Sequence, residues 1–172
     1  MDRYIIKDVF TNEQRRRLIK DCKSLLLNQE DMRKEIGDDR NYPGLQTPPE
    51  LYTDPEFRWA HMVMQYRIKK NLGWDIEFLY SWINWSNGNK KDITWHDHEK
   101  GGAAYSCVYY MKTFPLFSNG TLFEDGLFKA PQNSLLIFPS NIKHTAPSSP
   151  LPFSRYTWAF DLNILNRNGN DG

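Results

Sequence analysis

From residue 74 to residue 163 the chain is a succession of short apolar-alternating segments separated by turn formers, with no helical stretch between them. The segments fall at 76–85, 104–111, 121–124, 134–138 and 155–162. Turn signals separate them at Ser86-Asn87-Gly88-Asn89, Asn119-Gly120 and Pro131-Gln132-Asn133. Parallel strands need long, usually helical, crossovers, so this pattern predicts antiparallel pairing. Short antiparallel strands in this number bury their apolar sides best as two packed sheets or a barrel, which points to a jelly roll.

The preceding 73 residues are different. A short strand is expected at 4–10, and Thr11 with Gln14 three residues on forms a capping box for a helix. Leu18, Ile19, Cys22, Leu25 and Leu26 make that helix's apolar stripe, with Arg15, Arg16, Lys20 and Lys23 largely outside it. The Arg15-Arg16-Arg17 run is read as a solvated helix face. Residues 28–53 are polar, rich in turn formers and without sustained period, so they are expected to form a long loop and a candidate lid. Asp54-Pro55 opens a second helix that buries Phe57, Ala60, Met64 and Ile68, carries Lys69 and Lys70 in its last turn and stops at Gly73. His61, on this helix, has no ligand partners at usable spacing and is assigned a packing or surface role. The expected fold is therefore mainly β with N-terminal α-helices packed on one outer face of a jelly roll. One domain fills 1–172, with 1–73 as helical support and lid, 74–163 as core and 164–172 as a frayed tail.

Composition narrows the function classes. Twenty-two basic against 21 acidic residues leave a net charge of +1, too small to gather nucleic acid or an anionic membrane. No apolar run approaches the roughly 20 residues of a bilayer span, and no signal-peptide pattern is visible. Cys22 and Cys107 sit in apolar segments, as reduced thiols do. A soluble, intracellular, cytoplasmic protein is expected.

The chemistry concentrates in Trp95-His96-Asp97-His98 and in His144, which follows Phe138-Pro139-Ser140. Imidazoles two apart on an extended chain point the same way, and a third from a distant strand completes a facial set with open coordination positions. Open positions imply catalysis, with room for substrate and molecular oxygen. Eleven residues beyond His144, Arg155 shares a strand face with Thr157, opposite Tyr156, Trp158, Phe160 and Leu162. A guanidinium aimed into an apolar barrel suits a carboxylate held by a bidentate fork, with Thr157 adding a hydrogen bond.

Those residues, together with Ser81-Trp82-Ile83-Asn84, Ser106-Cys107-Val108-Tyr109-Tyr110, Gly120-Thr121-Leu122-Phe123 and Leu135-Leu136-Ile137-Phe138, resemble the iron(II)- and 2-oxoglutarate-dependent oxygenase superfamily. The likeness covers about half the chain and is greatest to the prolyl-hydroxylase-like branch, including its bacterial and phage members. It implies a double-stranded β-helix, the cupin-like form of the jelly roll. It further implies Fe(II) and 2-oxoglutarate as cofactors, with His96 as proximal ligand, His144 as distal ligand, and Arg155 with Thr157 on the 2-oxoglutarate C5 carboxylate. By the same resemblance Tyr110, and Ser106 on its strand face, would touch the cosubstrate. The implied reaction hydroxylates a small-molecule or peptidyl substrate and releases succinate and carbon dioxide.

The superfamily usually has His-x-Asp or His-x-Glu, whereas position 98 is histidine and Asp97 falls one residue early. Alternation favours His98 as second ligand, while a kink at the strand end would turn Asp97 inward instead. Two further readings stay open: a three-histidine cupin-like dioxygenase or isomerase that does not use 2-oxoglutarate, and a jelly-roll binding module without turnover.

Overall fold

The computed structural model describes residues 2–35, 44–86, 95–114, 116, 119–147 and 154–167. Its elements are β1 (Tyr4–Ile6), α1 (Asn12–Glu35), β2 (Gly44–Gln46), α2 (Arg58–Leu72), β3 (Trp74–Ser86), β4 (Tyr105–Lys112), β5 (Thr121–Phe123), β6 (Gly126–Phe128), β7 (Leu135–Pro139), β8 (His144–Thr145) and β9 (Arg155–Arg167). Six strands form one sheet in the order β1-β7-β4-β9-β3-β2, and three form a second in the order β6-β5-β8. All the strand pairings are antiparallel. The expected jelly-roll class is met at this level: mostly β, two antiparallel sheets and a few helices.

The long strand β9 lies between β4 and β3, and its alternation separates two environments. Tyr156, Trp158, Phe160 and Leu162 join the larger apolar cluster, where α1 contributes Leu18, Cys22 and Leu26 and α2 contributes Ala60, Met64 and Ile68. The other face, which takes Tyr110, Leu136 and Phe138, packs with Phe123 of the smaller sheet. A register shift between Phe78 and Tyr80 rephases β3. Phe78 and Ser81, three apart, thereby both reach His61 on the helix side, while Trp82 turns to the opposite face against His98.

The helix signals form as expected. Thr11 N–H donates to Gln14 Oε1 at 2.9 Å while Gln14 N–H donates to Thr11 Oγ1 at 3.1 Å, closing the capping box. Asp54-Pro55 first makes a 3₁₀ turn, Pro55–Phe57, before α2 begins, and Gly73 at φ 72° ends α2 by donating to Lys69 O. Arg15 and Arg17 depart from a purely solvated face: Arg15 donates to Met111 O at 3.1 Å, and Arg17 lies 4.8 Å over the Trp59 ring.

Three boundaries differ from the sequence expectations. The first strand ends at Ile6 rather than residue 10, because Asp8 adopts φ 51°, outside strand geometry. The 28–53 segment is not one loop: α1 runs on to Glu35, since no glycine or proline interrupts it before Gly37, and Gly44–Gln46 pairs with the end of β3. Residues 36–43 of that segment lie outside the described residues, as do the turn residues 87–89. The tail is not frayed from 164: β9 continues to Arg167, pairing Arg167 with Trp74 and Ile164 with Ile76. Arg167 also stacks 5.3 Å from the Trp74 ring and donates to the Tyr105 hydroxyl at 3.1 Å, which anchors a polar stretch.

Candidate metal centre

His96 and His144 meet as a two-residue antiparallel bridge that extends the smaller sheet beyond β8. His96 N–H donates to His144 O at 3.1 Å and His144 N–H returns a bond to His96 O at 2.9 Å. Two residues on, His98 N–H donates to Ser140 O at 2.8 Å. These three backbone bonds clamp the Trp95-His98 segment to the β7–β8 connection, so the two sequence-distant histidine groups share one place. One nitrogen from each of His96, His98 and His144 lies within 4.8 Å of the other two, a set able to hold a metal ion. Ring centroids stand 4.5 Å apart for His96 and His144 and 5.2 Å apart for each other pair.

The cluster runs from surface to interior: His96 is exposed, His98 half-buried and His144 buried. His144 packs edge-on to Phe138 at 4.7 Å, and its Nδ1–H donates to Ile142 O at 2.9 Å. That bond turns Nε2 into the ring's free electron-pair donor. Burial lowers the His144 pKa from 6.5 to about 4, the Ile142 carbonyl opposing and the neighbouring imidazoles adding to the fall. The ring is therefore neutral at pH 7, the state a metal requires.

His98 is oriented from the opposite side. Its Nδ1 lies 2.7 Å from Asp161 Oδ1 and 3.0 Å from Ser106 Oγ, while Ser106 donates to the same Asp161 oxygen at 2.7 Å. Trp82 flanks the His98 ring at 5.4 Å. Asp97 stands outside the three-nitrogen set, its Oδ1 accepting from Glu99 N–H at 3.3 Å.

Arg155 is buried at the start of β9, where Nη2 donates to Gly120 O at 3.0 Å and the guanidinium faces the Tyr110 ring at 6.0 Å. Gly120 has φ 122°, and a Cβ there would lie 2.0 Å from Phe128 O, so only glycine brings this carbonyl so close. Tyr110 is cross-strand neighbour to Thr157, and its hydroxyl is 2.6 Å from Thr121 Oγ1. Burial raises the Tyr110 pKa to about 12, with Thr121 and Arg155 working against the rise, so the phenol stays a neutral donor.

The inner face thus gathers two groups along β9, Arg155 with Thr157 near one end and Asp161 near the histidines. Ser106 stands with the histidine group, opposite Asp161 in register, and not beside Arg155. Asp161 and Trp82 did not figure among the sequence-derived candidates. Asp161 is legible by carrying the alternation of Arg155 and Thr157 on through Ala159.

No protein-family profile and no curated protein matches the chain. Solved structures do. The epimerase SnoN from nogalamycin biosynthesis, described as non-heme and alpha-ketoglutarate dependent, matches at TM-score 0.69 and 9% identity, over 94% of this chain and 77% of its own. EctD from S. alaskensis matches at TM-score 0.68 and 13% identity, over 94% and 72%. The viral collagen prolyl hydroxylase of Paramecium Bursaria Chlorella virus-1, solved as a 2OG complex, matches at TM-score 0.57 and 10% identity, over 95% and 96%. At these identities the likeness establishes a shared fold, one carried by an alpha-ketoglutarate dependent epimerase and by a prolyl hydroxylase solved with 2OG.

Proposed function

We propose that this chain is an iron(II)- and 2-oxoglutarate-dependent dioxygenase, a single double-stranded β-helix domain that hydroxylates a small-molecule or peptidyl substrate. The observation that carries the reading is the convergence of His96, His98 and His144 on the sheet face that also holds a buried Arg155. SnoN has been solved with Fe3+ and alpha ketoglutarate, and HygX from Streptomyces hygroscopicus with nickel and 2-oxoglutarate, so the fold accommodates this pair.

The residues fit the groups. Neutral imidazoles are good ligands for iron. One nitrogen from each of the three rings lies within 4.8 Å of the other two, close enough for all three to hold one ion. Asp97 is the less suitable second ligand, being engaged with the Glu99 amide. For the cosubstrate, a desolvated guanidinium favours an anion, and Thr157, Tyr110 and Thr121 place hydroxyls around it.

When bound, iron and 2-oxoglutarate supply the oxidising chemistry, with oxygen consumed and succinate and carbon dioxide released. The chain's own part is positioning and dryness. His144 and His98 present Nε2 because their Nδ1 protons are committed to Ile142 O and to the Asp161–Ser106 pair. Arg155 would hold the far carboxylate of the cosubstrate. Phe138, Val108, Phe123 and Tyr110 line the interior and keep bulk water from the reacting centre. The test is succinate formation from 2-oxoglutarate that requires Fe(II) and is lost in Arg155→Ala.

The all-histidine set favours one second reading, a cupin-like dioxygenase or isomerase that holds its own carboxylate substrate on Arg155. Such an enzyme would turn over without succinate release, so the same assay separates the two.

A further inference from the structure

Asp161 is a carboxylate only 3% exposed, on the inner face of β9 and opposite Ser106 on β4. One of its oxygens accepts both the Ser106 hydroxyl and His98 Nδ1–H, each at 2.7 Å. A carboxylate only accepts, so this contact places the proton of a neutral His98 on Nδ1 and its lone pair on Nε2. Both contacts go to the same oxygen, and burying a carboxylate away from a fixed cation is costly. Among the described residues no Lys or Arg is paired with it.

We propose, resting on the metal-centre reading above, that Asp161 is a positioning residue that acts on the metal through the His98 ring. The carboxylate missing from position 98 is supplied one layer out: Asp161 orients the imidazole and lends the centre the negative charge that a ligand aspartate would have carried directly. A divalent cation held by the three rings would in turn offset the charge of the buried carboxylate. Ser106 belongs to this relay, holding the Asp161 oxygen in line with Nδ1.

Apo-protein titrated anaerobically with Co(II), read by calorimetry and by the visible absorption of the bound ion, tests this without turnover. Asp161→Asn keeps an acceptor of the same shape and loses the charge. Its Co(II) affinity should fall roughly ten- to hundred-fold, with a displaced Co(II) spectrum and an unchanged near-ultraviolet dichroism. His98→Asp alone sets two carboxylates against each other and should also bind weakly. Combining His98→Asp with Asp161→Asn, which puts a single carboxylate directly at the ligand position, should recover affinity to within about five-fold of wild type. Wild-type affinity and spectrum in Asp161→Asn, or no recovery in the double variant, overturns the relay while leaving the metal centre standing. Should Asp161→Asn alone not fold, the double variant decides by the same titration. A wild-type chain that binds no Co(II) overturns the metal centre and the relay together.

Discussion

His61 and His144 are both buried imidazoles whose pKa burial pulls down to about 4, yet they stand on opposite sides of the same sheet and differ in what they leave unused. His61, on the helix side, spends both nitrogens: Nδ1 on Phe57 O at 2.9 Å and Nε2 on the Ser81 hydroxyl at 2.8 Å, which also accepts from Trp158 at 2.7 Å. Two ring contacts, to Phe78 at 4.8 Å and Trp158 at 4.5 Å, complete its packing. His144 commits Nδ1 to Ile142 O, and a nitrogen of its ring lies within 4.8 Å of one from each of two further imidazoles. Burial and a lowered pKa therefore do not mark a ligand; an uncommitted nitrogen facing others of its kind does. The same division runs along β9, where Tyr156, Trp158, Phe160 and Leu162 build the core while Arg155, Thr157 and Asp161 carry polar chemistry on the other face.

Exchanging the two histidines for alanine should give opposite results. His144→Ala is expected to weaken Fe(II) or Co(II) binding by at least about a hundred-fold and to abolish turnover, with a fold that survives. His61→Ala should cost about 2–4 kcal/mol of stability in urea unfolding, by leaving the Ser81 hydroxyl short of a partner and a cavity against Phe78 and Trp158, yet bind metal as wild type does. Equal metal loss in both would erase the contrast.

Arg155 provides the next largest effect. Its alanine variant should lose about 2–4 kcal/mol of 2-oxoglutarate binding, measured by calorimetry on the metal-loaded protein. Lysine there should recover only part of it, because a point charge lacks the planar fork.

Acid should then weaken both sides of the sheet at once. The folded pKa values of His61 and His144 lie near 4, below the 6.5 of an unperturbed imidazole, so the unfolded chain takes up protons first as pH falls. Their contribution is complete above about pH 6.5 and is lost progressively toward pH 4, up to about 3 kcal/mol for each ring. Urea midpoints at pH 7 and pH 4.5 measure it, and metal-free protein equally stable at both would contradict the burial of these rings. The smallest change is Tyr110→Phe, which removes the 2.6 Å contact to Thr121 and should cost about 1 kcal/mol, seen in stability or in cosubstrate affinity.

Much of this arrangement is readable from sequence because two periodicities dominate it. The capping box at Thr11, the stop at Gly73 and the alternation of 155–162 each follow from local chemistry, and the structure forms all three. The histidine pair His96 and His98 follows from spacing in the same way. What escaped lies where pairing, not periodicity, decides. The β8 strand has two residues, His144 and Thr145, too few for any pattern, and it exists because β5 and the His96 bridge supply partners. Gly44–Gln46 and residues 164–167 read as polar loop and tail, but hydrogen bonds along β3 order both. Asp161 lies two steps of the same alternation beyond Thr157, but only the pairing of β9 with β4 brings it to Ser106 and His98. The Ser106 contact to His98 depends on β4 and β9 register, which no single segment encodes.

Anaerobic addition of Fe(II) and then 2-oxoglutarate to the metal-free chain tests the central claim most directly, since chelation of iron by the keto acid produces a visible charge-transfer absorption. Wild-type protein should develop that absorption at one equivalent of each, and His144→Ala should not. A colourless wild-type solution, with neither Fe(II) nor 2-oxoglutarate retained on the protein, would contradict a metal centre built from His96, His98 and His144.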